Sequence, residues 1–263
     1  MAAKKTLLDV IFASDKRKNV LLMLQNGPQE MQKILKSLNT TRQALLPQIR
    51  ILEDHHLVSH IDDSYQLTTI GERVVDEMVP LLDTVNVLDT NSDFWGERDL
   101  DFIPPELLSR IRELGDYQIN EPPISNIHEL NRDFTEESAR SSRMCAVTTI
   151  FHPNFVDLFA LWTENKTEIT MVISRELYEK LRTHDQDDFQ NLLDNEYIKF
   201  YLYDRPFNFV YFALNDYCIL MTMLTKEGWY DNKELISFSD SAIEWGKDLF
   251  AYYLENSTPI TKI

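Results

Sequence analysis

A chain of 263 residues has room for two cores, and 43% apolar content with 29 aromatic side chains excludes a disordered polymer. Two cysteines, Cys145 and Cys218, exclude a disulfide framework and a Cys-rich zinc motif. The net charge of −17 looks hostile to nucleic acid, yet residues 1–60 hold nine Lys or Arg against five acids, a +4 head on a −21 body.

The opening residues, with Lys4 and Lys5 before Leu7, Leu8, Val10, Ile11 and Phe12, are too short and interrupted for a signal peptide's apolar stretch. Helical spacing predicts a first helix from Lys4 to Ala13. Ser14 is placed to cap a second helix carrying Val20, Leu21 and Leu24 and closing at Asn26-Gly27. Pro28 then opens a third helix, Gln29 to Leu38, at the position proline tolerates. Its apolar stripe is Met31, Ile34, Leu35 and Leu38.

After the turn Asn39-Thr40-Thr41, Thr41 caps a fourth helix, Arg42 to His55, with Leu45, Ile49 and Leu52 inward. Arg42, Gln43, Leu46, Pro47 and Arg50 are left on the face where a recognition helix meets base edges. Pro47 predicts a kink, and His56 stands where a glycine usually ends such a helix. Leu57–His60, a polar turn at Asp62-Asp63-Ser64 and Tyr65–Thr68 predict a two-stranded wing, and Thr69-Ile70-Gly71 begins the next helix. The expected DNA contacts are Lys16, Arg17, Lys36, Thr40, Thr41, Arg42, Gln43, Leu46 and Arg50, with His60 and Tyr65 from the wing. Helix-turn-helix patterns also serve as protein-interaction modules, and an adaptor without DNA binding is the alternative.

The run Leu52-Glu53-Asp54-His55-His56-Leu57-Val58 followed by Tyr65-Gln66-Leu67-Thr68-Thr69-Ile70-Gly71 resembles the "LExxGLV…YxLTxxG" end of archaeal ArsR-like winged helix-turn-helix regulators. The run Thr41–Ile49 is similar to the form found in methanogen regulators of the filamentation and methanogenesis type. That resemblance implies a DNA-binding transcription regulator in which this head is joined to the family's own C-terminal domain.

From Ile70 to Leu88 the residues Ile70, Val74, Met78, Leu81, Val85 and Leu88 follow heptad-like steps, interrupted by Pro80. This seam serves either a homodimer or packing on its own domain. Dimeric recognition of paired half-sites favours the homodimer. Residues 89–105 read as a boundary loop docked through Phe94 and Trp95, 105–114 as a helix and 126–138 as another helix after Pro122-Pro123.

Of the 29 aromatic residues, 22 lie between Met144 and Ile263. Strands are expected at 146–151, 169–173, 198–203, 209–215, 217–225 and 235–239, and helices at 154–162, 175–182 and 242–254, giving an α/β sheet layered with helices. Residues 207–225 carry one formal charge, Asp216, over a length near the roughly 20 residues of a membrane span. Their β-forming composition and the Asn215-Asp216 break favour a buried hairpin, so the chain is read as soluble, cytoplasmic and without a membrane partner.

No catalytic constellation emerges: there is no phosphate-binding Gly-rich loop, no Gly-x-Ser-x-Gly and no His-Glu-x-x-His. His152-Pro153-Asn154 lacks the lysine that phosphodiesterase-like enzymes carry two residues after the histidine. His55, His56 and His60 are poorly spaced for a metal, and no cofactor is expected. Polar groups among aromatics mark a small-molecule effector pocket instead: His152, Arg175, Tyr203, Arg205, Tyr211 and Trp229. Each has a bland reading as a core or surface residue, and a purely dimerising domain is the competing role. The expected organisation is an α+β winged helix-turn-helix over 1–70, connecting and dimerisation helices over 71–140, and an α/β sensor or dimerisation domain over 141–263. The expected partners are double-stranded DNA, a second copy and an effector.

Overall fold

The computed structural model describes residues 6–122 and 130–262. The chain forms two units, one ending at Asp83 and one beginning at Thr84. The segment 71–140, expected as a connecting region, is divided between them.

In the first unit, helix α1 (Leu7–Phe12) starts at Thr6, whose hydroxyl accepts from the Asp9 amide at 3.2 Å. The expected start at Lys4 lies outside the described residues. Helix α2 (Asp15–Leu24) follows Ser14, which is extended but makes no side-chain cap. The chain then turns at Gly27, with φ +105°.

The expectation of a helix directly after Pro28 is corrected. Gln29–Glu30 form a short strand, β1, paired with Tyr65 and Ser64, and helix α3 is Met31–Ser37. Tertiary pairing has overridden the proline signal, because those two residues complete a sheet edge.

Helix α4 (Arg42–Asp54) is capped by Thr41, whose hydroxyl accepts from the Ala44 amide. Pro47 lies inside it without dividing it. The proline is exposed, while Leu45, Ile49 and Leu52 are buried and anchor the helix on both sides of it. His56 takes φ +59°, the left-handed position usually given to glycine. The Leu57 amide reaches the Leu52 carbonyl and the His56 amide the Glu53 carbonyl, both at 2.9 Å. These are the two bonds of a Schellman cap.

Strands β2 (Val58–Ile61) and β3 (Ser64–Leu67) form the hairpin, in a three-stranded sheet ordered β1-β3-β2. Helix α5 (Thr69–Asp89) runs unbroken past Pro80. A Cβ at Gly71 would sit 2.0 Å from the Leu57 carbonyl oxygen, so only glycine admits this close approach.

The second unit begins with a correction. Helix α6 (Ser92–Glu97) occupies the expected boundary loop and buries Phe94 and Trp95. The Trp95 indole donates to the Val87 carbonyl and to the Tyr117 hydroxyl. The single helix expected over 105–114 is α7 (Pro105–Leu108) plus a 3-10 turn, Ile111–Leu114. Strand β4 (Tyr117–Asn120) was not anticipated. The helix expected at 126–138 falls partly outside the described residues, and α8 spans Arg132–Ala139.

There follow β5 (Arg143–Thr148), α9 (Phe155–Glu164), β6 (Glu168–Ser174), α10 (Arg175–His184), α11 (Gln186–Leu193), β7 (Ile198–Tyr203), β8 (Phe209–Asn215), β9 (Ile219–Met223), β10 (Glu234–Ser237), α12 (Asp240–Glu255) and β11 (Thr258–Ile260). Among the described residues the sheet has eight strands, ordered β11-β7-β6-β5-β8-β9-β10-β4. Strands β5, β6 and β7 are parallel, and the remaining pairings are antiparallel.

Strand alternation separates two cores, one on each face. Val147, Val172, Phe212 and Leu214 belong to the layer that holds Trp245 and Leu249 of α12, with Gly246 against Ile219 and Phe212. Ala146, Met171, Phe200, Ala213 and Leu220 pack instead with Phe134, Phe159, Trp162 and Phe189 from α8, α9 and α11.

The stretch tested for a membrane span is the β8–β9 hairpin, closed by Asn215, whose side-chain oxygen accepts from the Tyr217 and Cys218 amides. Among the described residues no helix is long and apolar enough to cross a membrane.

Candidate nucleic-acid surface and C-terminal cavity

Helices α3 and α4, separated by the Asn39–Thr41 turn, form a helix-turn-helix followed by the β2–β3 hairpin. Arg42, Gln43, Pro47 and Arg50 are exposed on α4, and Lys36 is exposed on α3. Leu46 is half-buried against the core, so it presents only part of its side chain. Thr40 and Lys16 are half-buried, and Thr41 is exposed but engaged as the cap.

Two of the expected DNA-contact residues, Arg17 and Tyr65, are placed differently, whereas His60 lies exposed on the hairpin as expected. Arg17 is 5% exposed, and its guanidinium donates to the carbonyls of Val10 and Asp9 and, at 2.7 Å, to the Gln48 side chain. It ties α1, α2 and α4 together and is corrected from a phosphate contact to an internal strut. Tyr65 is buried in the core, with its hydroxyl pushed above its usual pKa first by burial and then by Asp63 and Glu53. It supports the hairpin rather than facing a groove. His60 is exposed, stacks on Tyr65 at 5.4 Å and contacts the Glu53 carboxylate through Nδ1.

The hairpin also opposes its neighbour. Its tip residues Asp62 and Asp63 are acidic, and Asp63 accepts a 2.8 Å bond from Arg42. The pair is exposed on both sides, so it is worth little to stability. It does set the potential that Arg42 offers to an anion.

Along α1 and α5, Leu8, Phe12, Ile70 and Leu81 remain exposed, Leu8 at 70%. With Leu7, Ile11, Val74 and Met78 they line an apolar groove. The heptad-like residues therefore split: Val74 and Met78 pack on the first unit's core, while Ile70, Leu81 and Val85 face outward.

The six residues proposed from sequence for an effector do not assemble. Tyr203 lies on the α12 face of the sheet, packed with Phe207 and Tyr253. Arg175 is exposed at the start of α10 and pairs with Asp204. Arg205 is exposed, and Trp229 is 71% exposed. Only His152 and Tyr211 line a common cavity, together with Phe134, Phe155, Trp162, Tyr230 and Glu234.

That cavity encloses about 740 Å³ of non-protein space counted out to its mouth, of which about 80 Å³ admits the centre of a water-sized sphere. Tyr211 donates to Glu234 at 2.6 Å, and the Asn131 amide donates to the other carboxylate oxygen at 2.9 Å. Burial, then Glu234, pushes the Tyr211 phenol well above its usual pKa, so it remains a neutral donor. The Trp162 indole N–H is buried with no partner among the described residues.

Sequence reasoning missed Glu234. The available signal was strand alternation, which puts Glu234 on the same face as Ile236, a residue of the α8–α9 core.

Arg98, 1% exposed, is clamped by both oxygens of Asp231 and lies 4.4 Å from the Phe94 ring centre. Burial raises the thiol pKa of Cys145 to about 11 and of Cys218 to about 12, which removes both as thiolate nucleophiles near neutral pH. Among the described residues no cluster of His, Cys, Asp and Glu could hold a metal.

Comparison with known proteins bears on both units. Residues 127–256 match the family described as the methanogenesis regulatory protein FilR1, middle domain. Residues 7–90 match the HVO_A0261 N-terminal domain. The chain is 26% identical over 262 residues to methanogenesis regulatory protein FilR1 of Methanothrix harundinacea (strain 6Ac). That alignment covers 94% of this chain, which spans 56% of its relative's length.

Among solved structures, the archaeal chromatin protein TrmBL2 aligns over 97% of both chains with 11% identity and a TM-score of 0.45. The phospholipase D family member Nuc from Salmonella typhimurium aligns over 55% of this chain and 97% of its own, with 9% identity and a TM-score of 0.39. Both scores lie below the range in which a shared fold follows. The family match over residues 7–90 takes in the helix-turn-helix and hairpin, and the match over residues 127–256 takes in Trp162, Tyr211 and Glu234 of the cavity.

Proposed function

We propose that the chain is a DNA-binding transcription regulator of the winged helix-turn-helix type, acting as a homodimer and controlled by a small molecule held in the C-terminal cavity. The observation that carries the reading is the exposed face of α4, where Arg42, Gln43 and Arg50 stand beside the hairpin on a Thr41-capped helix. Likeness to a protein named as a methanogenesis regulator supports it.

In this reading Arg42, Gln43 and Arg50 reach base edges, and Lys16, Lys36 and Thr40 hold phosphates. With two phosphate-holding cations per protomer, Lys16 and Lys36, the logarithm of affinity should fall against the logarithm of salt with a slope of about −2 per half-site. The α1–α5 groove supplies the surface for a second copy, because its exposed leucines are the apolar area a dimer would cover. The effector acts by binding one state of the regulator more tightly than the other, which changes operator affinity by the same coupling energy.

Selecting bound fragments from genomic DNA, followed by a salt series, tests the core of the proposal. An enriched sequence whose binding weakens on Arg42→Ala and Arg50→Ala is the expected result. No enriched sequence, and no response to either substitution, would leave the adaptor as the better account.

A further inference from the structure

The effector reading leaves the ligand's chemistry open, and the polar lining of the cavity narrows it. Resting on that reading, we propose that the cavity takes a small organic ammonium cation, with the Glu234 carboxylate as its counter-charge.

Glu234 is 6% exposed, and both its oxygens accept hydrogen bonds from uncharged donors, Tyr211 and Asn131. Among the described residues it takes part in no ion pair, although the same unit pairs Arg98 with Asp231. A buried carboxylate is expensive to hold without a cation, and each of its oxygens can accept about two hydrogen bonds. Among the described residues, one acceptor position per oxygen is therefore unused.

Apart from the Trp162 indole and the His152 ring, the hydroxyl donors in the lining are already committed. Thr135 donates to the Asn131 carbonyl, Thr148 to the Ile150 carbonyl and Tyr230 to the Asn232 side chain. What the walls add is aromatic: Phe134, Phe155, Trp162, Tyr211 and Tyr230. Ring faces attract cations, most strongly where water is excluded. Carboxylate and rings thus favour the same ligand charge.

Size restricts the ligand further. The space open to a water-sized sphere's centre, about 80 Å³, is roughly half the 150 Å³ of a cavity that accepts benzene. An ammonium bearing a few carbons fits, whereas a nucleotide or a sugar amine does not. The unpartnered Trp162 N–H is the one feature that prefers an acceptor, so a small carboxylate is the competing ligand.

Calorimetry on the full chain at fixed ionic strength separates these cases. The probes are isopropylammonium and trimethylammonium chlorides, the uncharged isopropanol and tert-butanol, and sodium isobutyrate. The ammonium ions should bind about tenfold or more tighter than the matched alcohols. Glu234→Gln, which keeps shape and an acceptor, should remove most of that preference while circular dichroism shows an unchanged fold. If Glu234→Gln does not fold, Tyr230→Leu at the half-exposed rim should weaken the ammonium ions and leave the alcohols unchanged.

Alcohols or isobutyrate binding as tightly as the ammonium ions, or no ammonium binding at all, overturns the proposal. Isobutyrate binding alone removes the cation yet leaves a small-molecule effector standing. Failure of the regulator reading shows separately, in the DNA selection without any added ligand.

Discussion

The two units handle charge differently, although the first also buries one cation, Arg17, met by the carbonyls of Val10 and Asp9 and by the Gln48 side chain. In the first, Lys36, Arg42 and Arg50 lie on the surface, and the apolar residues left over at Leu8, Phe12, Ile70 and Leu81 lie there too. The second also buries charge of both signs: Arg98 is matched by Asp231, while Glu234, among the described residues, is met by the neutral donors Tyr211 and Asn131. Exposed charge in high dielectric addresses large, soft partners such as a polyanion, and is worth little to the fold itself. Buried charge must be answered locally. Neutral partners suffice for Arg17, whereas Glu234 lines a cavity and so leaves room for a ligand of opposite sign.

Breaking the matched buried pair should give the largest effect. Asp231→Ala strands Arg98 without its partner and should lower the second unit's stability by about 3–5 kcal/mol, read by urea denaturation. Arg42→Ala, which breaks the exposed pair with Asp63, should change stability by no more than about 0.5 kcal/mol. Equal losses from the two would erase the contrast between the units.

The pH dependence has a definite sign. Burial raises the Asp231 pKa, but the Arg98 hydrogen bonds and charge, with Lys233, outweigh it and hold the carboxyl below its usual range. A lowered folded-state value means the stabilisation is complete above the ordinary aspartate pKa and is lost as pH falls through the lowered one. Asp231→Asn should flatten that acid limb.

The exposed apolar face of the first unit gives the next largest effect. Leu8→Glu combined with Leu81→Glu alters two side chains that face outward in this fold, so the unit should remain folded. Burying four such leucines across a symmetric interface is worth several kcal/mol, and dimer affinity should drop by about a hundredfold or more. Sedimentation equilibrium reads this directly. An unchanged association state would remove the groove from the dimer, and a monomeric parent chain would remove the dimer itself.

The same contrast explains what could be read from the sequence. The first unit was legible because its signals are local: Thr41 caps, Gly71 permits a close approach, and Leu45, Ile49 and Leu52 keep helical phase. It failed where tertiary pairing decides, at Gln29–Glu30, and at Arg17. For Arg17 the phase was already informative, since it lies four residues before Leu21 and seven before Leu24, on the buried stripe of α2.

In the second unit the hairpin and the strand runs were legible, but the cavity was not. Tyr203 and Tyr211 were grouped by composition, whereas alternation and the irregular register between Phe209 and Tyr211 assign them to different layers. Strands β4 and β11 are short edge elements of four and three residues, too short for periodicity to register. Glu234 was invisible because an acid in an acidic chain reads as surface.

The smallest effect sharpens the comparison most, because it uses an exposed charge pair with no structural duty. Asp63→Asn keeps the hairpin bond from the Met31 amide, which goes to the Asp63 backbone carbonyl. It removes only the charge that Arg42 now faces at 2.8 Å. Stability should stay within about 0.5 kcal/mol. DNA affinity should rise by about two- to fivefold, with the salt slope changed by no more than about 1, because the freed guanidinium is available to a base edge and one less carboxylate repels the nearby phosphates. If Arg42→Ala weakens binding but Asp63→Asn leaves it unchanged, Arg42 already leaves the pair when DNA arrives. If neither substitution matters, α4 does not carry the contact, and the exposed charge of the first unit serves solubility rather than recognition.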